Sequence, residues 1–170
     1  LNQMIVLRGF KDLATLQAER QRTQQSPDPF GCGAVFQSLE QHSYEGFGWM
    51  KPVRPSAESG ISGPVYEIRT YGIKPGGVQA TIDLWEQYLP ARENISPCVV
   101  AMVALDGPLR FTNIWAYPTL DARGKGRADL EPGEDLRQRL RQADLGEELP
   151  AAGARRRRRG SSRTRERRGP

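Results

Sequence analysis

The sequence predicts an α+β fold followed by a tail that cannot pack, and three observations carry that prediction. First, residues 64–123 read as strand, helix, strand, strand and the start of a second helix, each from its own hydrophobic period. Second, all thirteen aromatic residues lie between Phe10 and Tyr117. From Pro118 onward there is no Val, Ile, Met or Cys either, so the packed core is expected to end near Tyr117. Third, the formal charge of +5 on 170 residues has one source: residues 151–170 hold nine Arg against one Glu, a local +8 that leaves the first 150 residues at −3.

The clearest strand is "VYEIRTYGI" at 65–73. Its alternation puts Tyr66, Ile68 and Thr70 on one face and Val65, Glu67, Arg69 and Tyr71 on the other. "KPGG" follows at 74–77, and a glycine-rich turn after a strand is a common phosphate cradle. That cradle needs GxxxxGK[ST] or GxGxxG spacing, so that several N–H groups converge on the anion at a helix start. Neither spacing is present, and the turn reads as a plain junction in which Gly76 and Gly77 permit unusual φ. Val78, Ile82, Trp85 and Leu89 then fall at i, i+4, i+7 and i+11, one apolar helix stripe that Pro90 should kink or end.

"CVVAMVAL" at 98–105 is a short apolar strand, Asp106-Gly107 a strong turn signal, and "LRFTNIWAY" at 109–117 alternates again. Leu109, Phe111, Asn113, Trp115 and Tyr117 share a face of that strand. A helix opening at Thr119 is weakly supported, because Gly124 and Gly126 each cost about 1 kcal/mol in a helix interior.

Upstream, "QMIVLRGF" at 3–10 reads as a buried strand, Asp12 caps a helix through residue 25, and "SPDPFG" at 26–31 breaks it. "AVFQSLEQHSYEGFGWM" at 34–50 reads as one long strand or a strand pair, with Gly46 and Gly48 marking a bulge. Residues 1–53 therefore resemble the βαβ second half of a preceding unit, and the chain, beginning at Leu1, reads as a fragment or a processed chain. Residues 54–63 are a Pro/Ser/Gly linker. Residues 130–170 are of low complexity, with one short helix offered at 132–149 and then an Arg run that is expected to be disordered or translated out of frame from a GC-rich gene.

Strand, helix, strand, strand, helix is the opening of a ferredoxin-like unit, whose sheet order is 4-1-3-2. Within it, "VYEIRTYGIKPGG" resembles the first strand and turn of the NIPSNAP family, and "LRFTNIWAYPTLDARGKGRAD" at 109–129 resembles that family's third strand and following helix. The resemblance covers residues 64–129. It implies the dimeric α/β-barrel arrangement, in which two ferredoxin-like sheets face each other across a homodimer or within one chain. It also implies a cytoplasmic protein if the source is bacterial and a mitochondrial or vesicle-associated one, linked to trafficking and mitophagy, if eukaryotic. The family brings no catalytic motif. Residues 130–170 lack the aromatic and β-branched residues expected of a fourth strand, which would leave the edge of residues 65–72 open.

Five residues form the candidate pocket or interface. Glu67, Arg69 and Tyr71 share one strand face, where they make either a cross-strand charge network or one wall of a cleft between sheet and helices. Trp115 and Tyr117 are either core or the floor of that cleft. No catalytic, metal or cofactor site is expected. Cys32 and Cys98 have no CxxC partner and read as small buried hydrophobes. His42 is the single histidine, with Glu40 and Glu45 near enough in sequence to tune a base, although an edge histidine is the simpler reading. No apolar run approaches the roughly 20 residues of a membrane-spanning helix. The function expected is a non-catalytic binding or scaffold protein that self-associates through its sheets. The alternatives are an α/β-barrel enzyme or small-molecule binder using Trp115 and Tyr117, and nucleic-acid or acidic-surface binding through the Arg run, provided that run is genuine.

Overall fold

The structure is a computed structural model and describes residues 3–31, 33, 38–53, 63–129 and 146–148. Its elements are α1 (Leu13–Gln25), β1 (Tyr44–Gly46), β2 (Val65–Ile73), α2 (Gly77–Glu93), β3 (Cys98–Ala104), β4 (Arg110–Tyr117), α3 (Leu120–Ala128) and β5 (Gly146–Glu148). The strands form one antiparallel sheet in the order β1-β3-β4-β2-β5. Numbered from β2, this is the 4-1-3-2 order of a ferredoxin-like unit with β1 added beyond β3, and the α+β class stands.

β2 and β4 pair without interruption from Val65 opposite Tyr117 to Gly72 opposite Arg110. That register sends Tyr71, Phe111, Asn113 and Trp115 toward α2 and turns Tyr66, Ile68, Thr112 and Ile114 to the opposite face. On the helix side the core closes around Phe111, whose ring lies 4.7 Å from Trp85, 5.5 Å from Phe47 and 5.8 Å from Tyr71. α2 contributes Gly77, Thr81, Trp85 and Leu89 to this core, a stripe with the helical period.

The turn at 74–77 is the junction expected of it. Gly76 takes φ 83°, a conformation only glycine adopts cheaply, and Gly77 N donates to Lys74 O at 2.9 Å to start α2. Pro90 does not end the helix, which continues to Glu93. Its ring faces solvent in the last turn, where only one intrahelical hydrogen bond is forfeited. α3 also forms in spite of its two glycines. Thr119 caps it by accepting from Ala122 N at 3.0 Å, and a Cβ on Gly126 would lie 2.9 Å from Ser96 Oγ, so that glycine is what lets α3 approach the segment entering β3.

Three expectations are corrected. Residues 3–10 form no strand, and Met4 and Ile5 are 64% and 75% exposed. An apolar run becomes a strand only where a neighbour supplies the ladder, and here β1 takes the outer edge of β3. Of the long strand or strand pair read at 34–50, only Tyr44–Gly46 pairs; the chain then turns, Phe47 N donates to Ala101 O at 3.1 Å, and Phe47 enters the core. Residues 34–37 of that segment lie outside the described residues.

The third correction is the fourth strand. β5 pairs with the end of β2, Tyr71 opposite Glu148 and Ile73 opposite Gly146. A three-residue edge strand needs only main-chain groups, so the lack of β-branched and aromatic residues did not exclude it.

α1 is capped by Asp12, whose Oδ1 accepts from Thr15 N at 2.7 Å. Arg20 ties the helix to the β3–β4 turn, donating to Asp106 Oδ2 at 2.8 Å and to Ser43 Oγ at 2.7 Å. Cys98 is buried, and burial, with the charge of Glu93 behind it, pushes its thiol up to about 12; Cys32 lies outside the described residues. So do residues 54–62 of the linker read at 54–63, the Arg run, and most of the helix read at 132–149, whose residues 146–148 form β5 instead of helix. Among the described residues, no helix is long and apolar enough to cross a membrane.

Candidate functional site

All five sequence-derived candidates lie on the helix side of the sheet. Glu67 stands opposite Trp115, Tyr71 opposite Phe111 and Tyr117 opposite Val65, while Arg69 faces Asn113. Their roles differ. Tyr71 is 3% exposed and stacked on Phe111, a core residue beside Arg69. Glu67, Arg69, Trp115 and Tyr117 come together with four residues that sequence reasoning did not single out, Arg92 of α2, Asn113 of β4, and Arg123 and Arg127 of α3.

Glu67 is the centre of the charges. Its Oε1 accepts from Arg123 Nη2 at 2.6 Å and lies 3.2 Å from Arg69 Nη2 and 3.6 Å from Arg127 Nη2. Tyr117 Oη donates to Glu67 Oε2 at 3.3 Å and accepts from Arg92 Nη2 at 3.2 Å, which links the fourth guanidinium to the group. Burial alone would raise the Glu67 carboxyl, but the hydrogen bond from Arg123 and the close guanidiniums of Arg69 and Arg127 outweigh it and hold the group down at about 2. For Arg69, burial works against the charge, and Tyr71 and Glu67 more than offset it, so its guanidinium is held above its ordinary value. A carboxylate this acidic is a weak base at neutral pH, and the arrangement suits holding charge more than moving protons.

Trp115 organises the other half. Its Nε1 donates to Asn113 Oδ1 at 2.6 Å, its ring carries the Arg92 guanidinium at 4.6 Å, and its centroid lies 5.9 Å from that of Trp85. The pairing of Arg92 with Trp115 crosses from helix to sheet and has no local sequence signature. Arg123 and Arg127 do have one: placed i, i+4 behind the Thr119 cap, they share a helix face.

His42 is drawn elsewhere. It is exposed at the entry to β1, with Nε2 2.7 Å from Glu40 Oε1 and Nδ1 3.2 Å from Arg110 Nη2 and 3.9 Å from Asp106 Oδ1. These contacts belong to the surface network that holds α1. Among the described residues, no group of three or more His, Cys, Asp or Glu is placed to hold a metal ion.

In comparison with known families, the NIPSNAP family model matches residues 66–148, from the start of β2 through β5. The match extends past residue 129, where the sequence resemblance stopped, and takes in the fourth strand. Comparisons with curated proteins and with solved structures return no match.

Proposed function

Since residues 66–148 match the NIPSNAP family model, we propose that the protein is a NIPSNAP-like, non-catalytic binding or scaffold module that self-associates through its sheet. The observation that carries this reading is the sheet face opposite α2, where Tyr66 is 51% and Ile68 41% exposed. Large apolar side chains alternate there with the buried, charged face of the same strand, so their exposure comes from β2 itself and not from a ragged end. Beside them, the β2 edge before Tyr71 has no strand partner on its outer side among the described residues. A second copy offers the matching surface, since a two-fold arrangement sets the same apolar face against itself. The non-catalytic part is supported by the acidity of Glu67, the one carboxylate in the helix-side cluster among the described residues.

Sedimentation of the full chain across the micromolar range tests this. Self-association is expected, and Ile68→Glu, with an unchanged circular dichroism spectrum, is expected to weaken it by about thirtyfold, the equivalent of about 2 kcal/mol for charging a packed contact. A wild-type protein that stays monomeric across that range removes the proposal.

A further inference from the structure

The helix-side cluster carries more donors than acceptors. Among the described residues, four guanidiniums, those of Arg69, Arg92, Arg123 and Arg127, are linked to the one carboxylate of Glu67. Most of the buried donors without a partner among the described residues belong to it, Trp49 Nε1 and Arg110 Nε lying elsewhere. Arg69 Nε and Nη2, Arg92 Nη1, Asn113 Nδ2 and Trp85 Nε1 are all buried and make no hydrogen bond. Arg69 Nη2 does lie 3.2 Å from Glu67 Oε1, but as an ion pair without the alignment of a hydrogen bond.

These donors occupy neighbouring positions. Asn113 is 1% exposed and is the cross-strand partner of Arg69, so their side chains stand side by side on one face. The Trp115 indole takes the one acceptor Asn113 has, which leaves both Nδ2 hydrogens pointing away from Trp115 with nothing to meet. The Arg92 guanidinium lies over the same indole and Trp85 packs beside it. The side chain of Arg69 is 11% exposed. Its Nε, and the Nη2 that Glu67 Oε1 approaches at 3.2 Å, form one edge of the guanidinium, the planar fork that matches the two oxygens of a carboxylate.

We propose that this ring of donors around Trp115 is a binding site for a small carboxylate, with the Arg69 edge and Asn113 Nδ2 taking its oxygens and Arg92 balancing its charge. Buried donors without acceptors are costly, and one planar anion satisfies several at once. The flat fork and the indole beside it favour a carboxylate over a tetrahedral phosphate. The site is on the opposite side of β2 from the apolar face assigned to self-association, and the two readings stand or fall separately.

The test uses the full chain at fixed ionic strength, titrated with sodium benzoate, sodium succinate, inorganic phosphate or sodium chloride, and read by isothermal titration and thermal melting. At least one carboxylate is expected to bind and raise Tm where chloride does not. Arg92→Gln should weaken that binding by about tenfold or more, the scale of losing one charge-assisted contact. Asn113→Asp places a carboxylate inside the ring. It is expected to raise Tm and abolish binding, whereas a buried aspartate that met no unpaired donors would lower Tm. The Arg run binds anions equally in every variant, so the difference between variants isolates the site. Carboxylates that act no differently from chloride, phosphate binding in preference to both carboxylates, or an Asn113→Asp protein that melts lower each overturn the proposal.

Discussion

Replacing Glu67 by Gln removes a negative charge that Arg69, Arg123 and Arg127 share. The fall of its carboxyl from 4.5 to about 2 is worth about 3 kcal/mol at the most. Arg123 and Arg127 are about one-third exposed at their side chains, so solvent screening reduces the sum, and about 1–2 kcal/mol is expected at neutral pH. Since the folded-state value lies below the unfolded one, the stabilisation is complete above about pH 5 and is lost as pH falls through 4.5 toward about 2. Urea denaturation of the wild type and of Glu67→Gln at stepped pH should give two curves separated by that gap at pH 7 and converging toward pH 2. The exposed Glu86→Gln serves as a control whose gap should be small throughout. A difference for Glu67→Gln that is as large at pH 3 as at pH 7 refutes the reasoning, because its loss would then reside in packing and not in the charge.

Two further substitutions follow from close contacts. Gly126→Ala should lower stability by about 1–2 kcal/mol, since its Cβ would stand 2.9 Å from Ser96 Oγ and 3.2 Å from Ile95 Cγ2 and overpacking outweighs the better helix propensity. Gly124→Ala meets nothing within 4 Å and should instead gain about 0.5–1 kcal/mol; thermal melts shifting in opposite directions check the pair. Asp106→Ala should release α1, seen as faster amide exchange across Leu13–Gln25 with β4 unchanged, because Asp106 takes both Arg20 and Ser43 N. The cost in global stability should stay below about 1 kcal/mol, the pair being partly exposed.

Much of the region from Val65 to Ala128 was legible because its period and its turn chemistry agree. Val78, Ile82, Trp85 and Leu89 announce one helix, Asp106-Gly107 announces the hairpin, and the alternation of "VYEIRTYGI" puts Glu67, Arg69 and Tyr71 on one face before any coordinates are known. Reading failed where tertiary context decided. The apolar run at 3–10 looks like a strand but finds no ladder, while Gly146–Glu148 reads as the end of a short helix and is a strand because β2 offers it an edge. Gly126 reads as a defect until Ser96 appears beside it. The candidate site was half visible for the same reason: strand periodicity reports which residues share a face, but says nothing of Arg92 reaching over Trp115 from another element.

The register of β2 makes the two proposed surfaces physically separable. Ile68 stands between Glu67 and Arg69 in sequence, yet strand alternation turns its side chain to the other face of the sheet. A charge at Ile68 therefore acts on the exposed apolar face, whereas a charge at Asn113 acts among buried donors under α2. If both are right, Ile68→Glu should weaken self-association and leave carboxylate binding intact, and Asn113→Asp should do the reverse. Effects that travelled together would mean instead that the sheet transmits between its faces, for instance because closing two sheets on each other reshapes the strands that carry Arg69. A protein with an apolar face outward and a cationic, donor-rich face under its helices has a reason to keep both on one strand: each copy brings its own anion site to an assembly without placing that site in the interface.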